Sequence, residues 1–242
     1  MSEQTQPELI RPSTVLPAQR ESITIVTSDG LKLVGEVTTP INGDRSRAIL
    51  CLHPRPTHGG MMDSHLFKKA ANRLPAMAGL TIVRFNTRGT SSEQGKSEGE
   101  FGNGVTEAAD VKAAIEHCFS TLKVKKLWIL GWSFGTDLAL QHGRDPRVEG
   151  LILLSPPLMT TTEADLKLWN EDGRPIYALI PEFDDFLNPQ AAEVKFAPVA
   201  QLKLIAIKDA KHLWIGEPFV YIALSEIVKI VAPEKLPLPI QM

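Results

Sequence analysis

The residues with the clearest chemical potential form the pentapeptide Gly131-Trp132-Ser133-Phe134-Gly135. It follows an apolar segment, 127–130, and precedes a segment with helical character, 134–142. In a sharp turn from strand to helix, a glycine two positions before and after a serine lets the backbone double back and exposes the hydroxyl. A Gly-rich turn with a capping serine would explain the pentapeptide alone, but not its position between a strand and a helix. The pattern therefore predicts that Ser133 is a nucleophile.

A serine hydroxyl needs a nearby base to react at neutral pH. When the serine lies on such a turn of a parallel sheet, the acid and then the histidine follow it in the chain. Of six histidines, only His142 and His212 come after Ser133. His142 falls in the helix right after the serine and is predicted to be a surface side chain. His212 follows the apolar segment 202–207, at the carboxyl end of a late strand, and is predicted to be the general base rather than an ordinary exposed histidine.

The partner of this histidine should be a carboxylate in the loop 181–186, which follows the preceding apolar segment. That loop carries Glu182, Asp184 and Asp185. One of them suffices to accept the imidazole N–H and to stabilise the imidazolium formed during attack. Glu182 is too close to the end of the strand to be the first choice. Spacing does not separate the two aspartates, so both remain candidates at this point.

An oxyanion hole needs two backbone N–H donors. The first is predicted to be Phe134, the residue after the nucleophile. The second should come from the loop 53–60, whose sequence is His-Pro-Arg-Pro-Thr-His-Gly-Gly. Because its two prolines have no N–H, the residue between them, Arg55, is the best candidate.

Several side chains near these loops are candidates to contact a substrate, although each could instead belong to the core. They are His53, Gly59, Gly60, Met61, Met62, Trp132, Leu158 and Trp214. The two glycines would let their loop pass close to a substrate. His53 is more readily explained as a structural hydrogen-bonding residue than as a second base.

Two other sets of residues have alternative interpretations. A zinc site made of His53, His58 and His65 matches no familiar ligand spacing and leaves the serine without a role, so no metal is expected. Arg88 follows the apolar segment 80–85 and could contact an anionic substrate. Pairing with a nearby carboxylate as part of the loop structure is the favoured interpretation.

The scaffold that must bring these loops together is predicted from alternating strand-like and helix-like segments. Continuous apolar segments at 48–52, 80–85, 127–130, 151–154, 176–180 and 202–207 are typical of parallel strands covered on both faces. Segments 23–27 and 31–35 flank an Asp-Gly turn and predict an antiparallel hairpin. Helices are predicted at 65–74, 105–122, 134–142 and 219–231, with one short helix at 163–170. The fold class is α/β, with a mostly parallel twisted sheet of about eight strands and helices on both faces.

Length and composition limit the organisation and the partners. The 242 residues are predicted to form a loose N-terminal arm at 1–20, one domain at 21–232 and a Pro-rich C-terminal tail at 233–242. A formal net charge of −2 without a basic run argues against nucleic acid as a partner. No apolar segment reaches the roughly 20 residues that span a bilayer. Without a signal-peptide pattern, a cytoplasmic monomer or homodimer is expected.

From about residue 23 to 231, the order of elements resembles the α/β-hydrolase superfamily. The motif in the loop 53–60, the sequence Arg-Phe-Asn-Thr-Arg-Gly at 84–89 and the pentapeptide around Ser133 are similar to a lidless branch close to dienelactone-hydrolase-like proteins and small carboxylesterases. The resemblance implies the triad Ser133, Asp184 and His212, since Asp184 matches the family's acid position better than its neighbour. It also implies that no cofactor is needed.

Two departures from that branch bear on the site. Thr-Ser-Ser at 90–92 stands where the branch often has Gly-x-Ser-x-Gly, and Pro54 stands where many relatives have glycine in the oxyanion loop. About twenty residues separate the segments that end at 154 and begin at 176. This leaves space for one short helix but not for a lid domain, so an open site for small or flexible esters is expected.

These features predict a carboxylesterase-like enzyme that cleaves a small carboxylic ester through an acyl-enzyme intermediate. A thioesterase, an amidase or a peptidase would use the same triad. A catalytically silent fold used for binding is the alternative from another class. A dehalogenase would need an aspartate in place of Ser133.

Overall fold

A computed structural model describes residues 9–241. The first eight residues of the predicted N-terminal arm and Met242 lie outside the described residues. The strands are β1 (Gln19–Val26), β2 (Lys32–Thr39), β3 (Arg47–Leu52), β4 (Thr81–Phe85), β5 (Ser91–Ser92), β6 (Gly95–Lys96), β7 (Lys126–Trp132), β8 (Val148–Leu154), β9 (Ile176–Phe183) and β10 (Leu202–Lys211). The helices are α1 (His65–Ala78), α2 (Glu107–Ser120), α3 (Phe134–His142), α4 (Glu163–Asp172), α5 (Pro189–Phe196) and α6 (Glu217–Val231).

Eight of the strands form one sheet in the order β1-β2-β4-β3-β7-β8-β9-β10. The β1–β2 and β2–β4 pairs are antiparallel, whereas all pairs from β4–β3 to β9–β10 are parallel. The predicted α/β class, the sheet of about eight strands and its N-terminal hairpin are therefore confirmed. Strands β3, β7, β8, β9 and β10 all point their carboxyl ends to the same edge, which brings distant loops together there.

The strands are apolar on both sides because each face of the sheet is covered by helices. In β3, Ile49 and Cys51 belong to the apolar core that includes α1 and α6, whereas Leu50 and Leu52 belong to the core that includes α2 to α5. All four side chains are buried. Since burying one aliphatic side chain contributes about 2 kcal/mol, these continuous apolar strands stabilise two separate cores.

Most differences from the predicted elements concern their ends. Helix α1 was expected to stop at 74, but it continues through Pro75 and ends at Ala78, and the next residue, Gly79, closes it with a left-handed φ of 65°. Proline has no N–H to donate and its ring crowds the carbonyl four residues earlier, yet only one further turn follows Pro75 before the helix ends. Helix α5 was not predicted, since it is short and weakly amphipathic. The Asn188 side chain caps it by accepting the Ala191 N–H at 2.9 Å.

Strands β9 and β10 are longer than predicted, and this matters for the site. Their apolar segments were expected to end at 180 and 207, but pairing resumes at Lys211 opposite Phe183 after an irregularity in the register. Asp184 and His212 are consequently the residues directly after two adjacent parallel strands. A pair of strand ends, rather than a pair of long loops, carries them.

The two termini of the described chain lie against each other. Leu9 forms an antiparallel bridge with Gln241, and Ile10 N–H donates to the Ile240 carbonyl at 2.9 Å. Leu238 is buried, so the apolar tail folds back onto its own domain. The predicted boundaries of arm and tail remain predictions. None of the helices within residues 9–241 is long and apolar enough to cross a membrane.

Candidate active site

The turn between β7 and α3 has the strained geometry that its sequence predicts. Ser133 has φ 52° and ψ −123°, a conformation that side-chain-bearing residues rarely adopt. A Cβ on Gly131 would lie 2.5 Å from the Gly135 carbonyl oxygen, and a Cβ on Gly135 would lie 1.9 Å from the Leu52 oxygen. Both glycines are therefore sterically required. They let the chain reverse tightly and seat the start of α3 against the end of β3.

A continuous chain of hydrogen bonds runs from the serine through the histidine to a carboxylate. His212 Nε2 lies 2.9 Å from Ser133 Oγ, and His212 Nδ1 lies 2.9 Å from Asp184 Oδ2. An ionised carboxylate only accepts, so Nδ1 carries the proton of the neutral ring and Nε2 accepts from the serine hydroxyl. The histidine and the aspartate are buried and the serine is half-buried. The arrangement can take a proton from the hydroxyl.

The choice between the two aspartates is made by the direction of their side chains. Asp184 is buried and its Oδ1 accepts the N–H groups of Phe186 and Leu187 at 2.9 and 3.2 Å. Burial alone would raise the pKa of Asp184, but the hydrogen bonds from His212 and from these backbone groups outweigh it and leave the pKa below its ordinary value. Asp185 is exposed. Only the first aspartate can orient the histidine.

The backbone of His212 is held as tightly as its side chain. Its carbonyl oxygen accepts from Trp132 Nε1 and from Ser155 Oγ, both at 3.2 Å. Trp214 Nε1 in turn donates to Ser155 Oγ at 2.9 Å. We call Trp132, Ser155 and Trp214 the carbonyl clamp. Both tryptophans were expected to line a pocket, but they are buried beneath the site because each places its indole N–H in this network.

The two predicted oxyanion donors are on neighbouring segments. Phe134 is the first residue of α3, so its N–H has no partner within the helix. The Arg55 N–H bonds to no residue within 9–241, whereas the Arg55 carbonyl accepts from Gly60 N–H at 3.0 Å. A Cβ on Gly60 would lie 2.0 Å from the Pro54 oxygen, so this tight loop also requires glycine. The role of these donors remains a prediction.

His53 is fully buried and both of its ring nitrogens are occupied. Nδ1 donates to the Pro54 carbonyl at 2.7 Å, and Nε2 accepts the Thr87 N–H at 3.0 Å. Burial lowers the pKa of His53 to about 4, so the ring is neutral at physiological pH. The expected structural hydrogen bonds are present. The prediction that His53 contacts a substrate is wrong, because the protein covers this side chain completely.

The remaining residues that were predicted to contact a substrate differ in their exposure to solvent. Gly59 is exposed, Met61 and Leu158 are half-buried, and Met62 belongs to the core. The sequence analysis missed three exposed apolar side chains that follow the predicted acid and base in the chain. They are Phe186, 54% exposed with its ring centroid 4.6 Å from that of His212, Leu213, 52% exposed, and Ile215, 71% exposed. Their adjacency in sequence to the predicted acid and base was the available signal.

The other polar side chains that the sequence singled out have structural partners. Arg88 Nη2 donates to Asp110 Oδ1 at 2.7 Å, so the favoured interpretation as a carboxylate pair is confirmed. His142 was predicted to be a surface side chain, but it is half-buried and bonds to the Gly104 carbonyl at 2.6 Å. His65 bonds to the Leu213 carbonyl at 2.7 Å. Across residues 9–241, no three His, Cys, Asp or Glu side chains group together to hold a metal ion.

Solved structures with the same architecture include α/β serine hydrolases and an esterase. An α/β serine hydrolase homologue from Coxiella burnetii is 25% identical, with a TM-score of 0.74 over 88% of this chain and 97% of that chain. A lidless α/β serine hydrolase from Xanthomonas campestris is 24% identical, with a TM-score of 0.72 over 94% and 100% of the two chains. An esterase from Pyrococcus furiosus is 17% identical, with a TM-score of 0.71 over 93% and 98%.

Sequence comparison alone is less informative. No family model matches the chain. An uncharacterized protein of Rickettsia prowazekii is 35% identical over 118 residues, which is 48% of each chain, so the match spans about half of that relative. The structural similarities show that this chain has the lidless α/β-hydrolase fold. The neighbours are α/β serine hydrolases and esterases, which supports a hydrolase activity.

Proposed function

We propose that this protein is a serine hydrolase that cleaves carboxylic esters through an acyl-enzyme intermediate. The observation that carries the proposal is the continuous set of hydrogen bonds from Ser133 Oγ to His212 and on to Asp184, each 2.9 Å long. It begins at a serine whose strained backbone holds the hydroxyl at the carboxyl edge of the sheet. A core hydroxyl would not need that backbone geometry.

The first half of the reaction acylates the serine. As Ser133 Oγ attacks the carbonyl carbon of the ester, His212 Nε2 takes the hydroxyl proton and becomes an imidazolium, which the carboxylate of Asp184 stabilises. The carbonyl oxygen gains negative charge and is stabilised by the N–H groups of Phe134 and Arg55. The tetrahedral intermediate then collapses. Its bond to the alcohol oxygen breaks, His212 passes the proton to that oxygen, and the alcohol leaves.

The second half regenerates the enzyme. A water molecule gives a proton to His212 Nε2 while its oxygen attacks the acyl carbon. The new tetrahedral intermediate releases Ser133 Oγ, which recovers the proton from the imidazolium, and the carboxylic acid departs. The same triad would cleave a thioester or an amide, and those bonds are the alternatives within this mechanism.

A fluorophosphonate probe and an ester panel test the proposal together. We expect the probe to add one adduct at Ser133, located by peptide mass spectrometry, and we expect turnover of 4-nitrophenyl esters by wild type but not by Ser133→Ala. Matched ester, thioester and amide substrates with the same acyl group then rank the three bonds. A folded wild-type protein that stays unlabelled and inert to activated esters would favour a catalytically silent binding protein instead.

The proposal also includes the setting expected from the sequence. A small-molecule ester is the partner, without nucleic acid or a membrane, and the protein acts in the cytoplasm as a monomer or homodimer. Cell fractionation and light scattering on the purified protein check these points. Recovery with the membrane fraction, or a stable complex with nucleic acid, would contradict them.

A further inference from the structure

The side chain of Arg55 is held in one position beside the candidate oxyanion hole. Its guanidinium carbon lies 5.3 Å from the ring centroid of Phe101 and 5.6 Å from that of Phe134. Its Nη2 donates to Asn103 Oδ1. Phe134 directly follows Ser133, so a half-buried positive charge sits against the residue next to the nucleophile. Two rings and one amide therefore contact this cation without any ligand.

This arginine differs from every other buried or half-buried arginine of residues 9–241, because it has no carboxylate partner. The others are paired as Arg45 with Glu21, Arg47 with Glu234, Arg73 with Glu217, Arg84 with Glu36 and Asp63, Arg88 with Asp29 and Asp110, and Arg174 with Asp172.

Glu107, the carboxylate that contacts the segment around Asn103, is already engaged by that segment's backbone. Glu107 accepts the N–H groups of Gly102 and Gly104 at 2.7 and 2.8 Å, on either side of Asn103. A guanidinium has five N–H donors, and only the bond to Asn103 is made within the described residues. Arg55 therefore keeps a positive charge and spare donors that the protein does not satisfy.

The surface near His212 has a different character. The exposed ring of Phe186 lies 4.6 Å from the His212 ring, and the exposed apolar residues Leu213 and Ile215 follow His212 in the chain. Because His212 gives its proton to the departing alcohol, the alcohol part of an ester lies on that side. In the proposed arrangement the acyl part extends the other way, past Ser133 towards Phe134 and the Arg55 side chain that lies against its ring.

We propose that Arg55 binds an anionic group on the acyl part of the substrate, so that the preferred substrate is an ester of an acid that carries a second, ionised carboxylate. The inference rests on the proposed esterase function. A guanidinium can hold a carboxylate through two parallel hydrogen bonds, which gives both charge compensation and a defined orientation. The other buried or half-buried arginines of residues 9–241 each pair with a carboxylate of the protein. The second carboxylate of the substrate would be the corresponding partner of Arg55.

Two matched esters test this directly. Mono(4-nitrophenyl) adipate and 4-nitrophenyl hexanoate share the leaving group and the acyl length, and differ in one terminal carboxylate. We expect wild-type kcat/KM to be about tenfold to a hundredfold higher for the adipate. The rate with Ser133→Ala is subtracted as the background of spontaneous hydrolysis. Raising the salt concentration should reduce the preference.

Variants test whether the Arg55 side chain causes the preference for the adipate ester. Arg55→Gln should bring the ratio of the two kcat/KM values close to one. That ratio cancels any common loss, which matters because the backbone of the same residue is a predicted oxyanion donor. Asn103→Asp places a carboxylate beside the guanidinium and should also lower the ratio. Arg147→Gln is the matched control, since Arg147 also lies over a ring, Phe119 at 4.7 Å, but is paired with acids.

The outcomes separate this inference from the proposed function. Equal turnover of both esters by wild type, or a ratio unchanged in both Arg55→Gln and Asn103→Asp, overturns the anion subsite and leaves the esterase standing. Absence of labelling and of turnover with either ester overturns the esterase itself. If Arg55→Gln does not fold, the ratio of kcat/KM values measured with Asn103→Asp tests the anion subsite by itself.

Discussion

His53 and His212 each follow a parallel strand at the same edge of the sheet, yet the protein uses them in opposite ways. Both nitrogens of His53 are occupied by backbone groups, the Pro54 carbonyl and the Thr87 N–H. His212 instead places one nitrogen on a carboxylate and the other on a hydroxyl. The ring of His53 joins two loops, and the ring of His212 connects the carboxylate and the hydroxyl of the candidate triad.

The difference shows what makes a histidine available as a base. Because a backbone N–H already donates to Nε2 of His53, that nitrogen has no lone pair left for a substrate or a serine. Complete burial also lowers its pKa to about 4, so protonation is unfavourable there. His212 keeps an acceptor nitrogen facing a hydroxyl that can lose its proton. The partners of the ring, rather than its place at the end of a strand, decide its role.

The largest expected effect comes from replacing each histidine by asparagine. His212→Asn should lower kcat/KM for an ester by about 10⁴-fold, because the serine loses its proposed base. His53→Asn should mainly lower the free energy of unfolding, by about 2–3 kcal/mol, since the buried Thr87 N–H loses its acceptor. Kinetics per folded molecule and urea unfolding measure the two effects. An equal loss of kcat/KM in both variants would remove the distinction.

The next effect separates the two neighbouring aspartates. Asp184→Asn should lower kcat/KM by about 10³-fold, because an amide cannot hold the same tautomer or stabilise the imidazolium. Asp185→Asn is the matched control and should leave kcat/KM within a factor of two. Steady-state kinetics with one ester compare them. A larger loss in the control would place the acid one residue further along the chain.

The pH dependence of the free energy of unfolding tests the structural role of His53. Its pKa is about 4 when folded, and an unfolded histidine titrates near 6.5. As the pH falls from about 6.5 to 4, the unfolded chain binds a proton that the folded protein does not, so up to about 3 kcal/mol of stability is lost. Above that window His53 contributes no pH dependence.

The measurement is urea unfolding at several pH values for wild type and His53→Asn. The difference between the two curves isolates this histidine, because the other titrating groups are shared. The variant should show a shallower decline between pH 6.5 and 4. Parallel curves would mean that the ring is accessible to protons in the folded state.

The smallest effect concerns the carbonyl clamp, which holds the backbone of His212. Ser155→Ala should lower kcat about tenfold with little change in KM, because the imidazole loses orientation but the substrate contacts remain. Ser155→Thr should recover part of the loss. Ser97→Ala is the control, since that buried hydroxyl bonds to the Asn86 carbonyl at 2.8 Å, away from the candidate triad. A rise in KM alone would contradict a positioning role.

The amino-acid sequence by itself determined the fold class and, from its local patterns, Ser133 and His212 of the candidate triad, whereas Asp184 was implied only by the family resemblance. A pentapeptide between an apolar strand and a helix is a local signal, so it located Ser133 without knowledge of the tertiary structure. The order of elements then left His212 at the end of a late strand. Carboxyl ends of parallel strands share one edge of a sheet, which is why strand order alone predicted that distant loops meet.

Only the tertiary structure decided which side chains face the site. Asp184 and Asp185 are equivalent by spacing, but the extended pairing of β9 turns the first inward to His212 and the second to solvent. Trp132 and Trp214 are large aromatic side chains of the kind that often line a pocket. Their indole N–H groups instead donate to the His212 carbonyl and to Ser155 Oγ beneath the site. Neighbouring residues of a loop point in different directions, and that direction is set by contacts with segments far away in the chain. A local sequence pattern therefore predicts that a residue lies near the site, but it does not decide whether the side chain contacts the site.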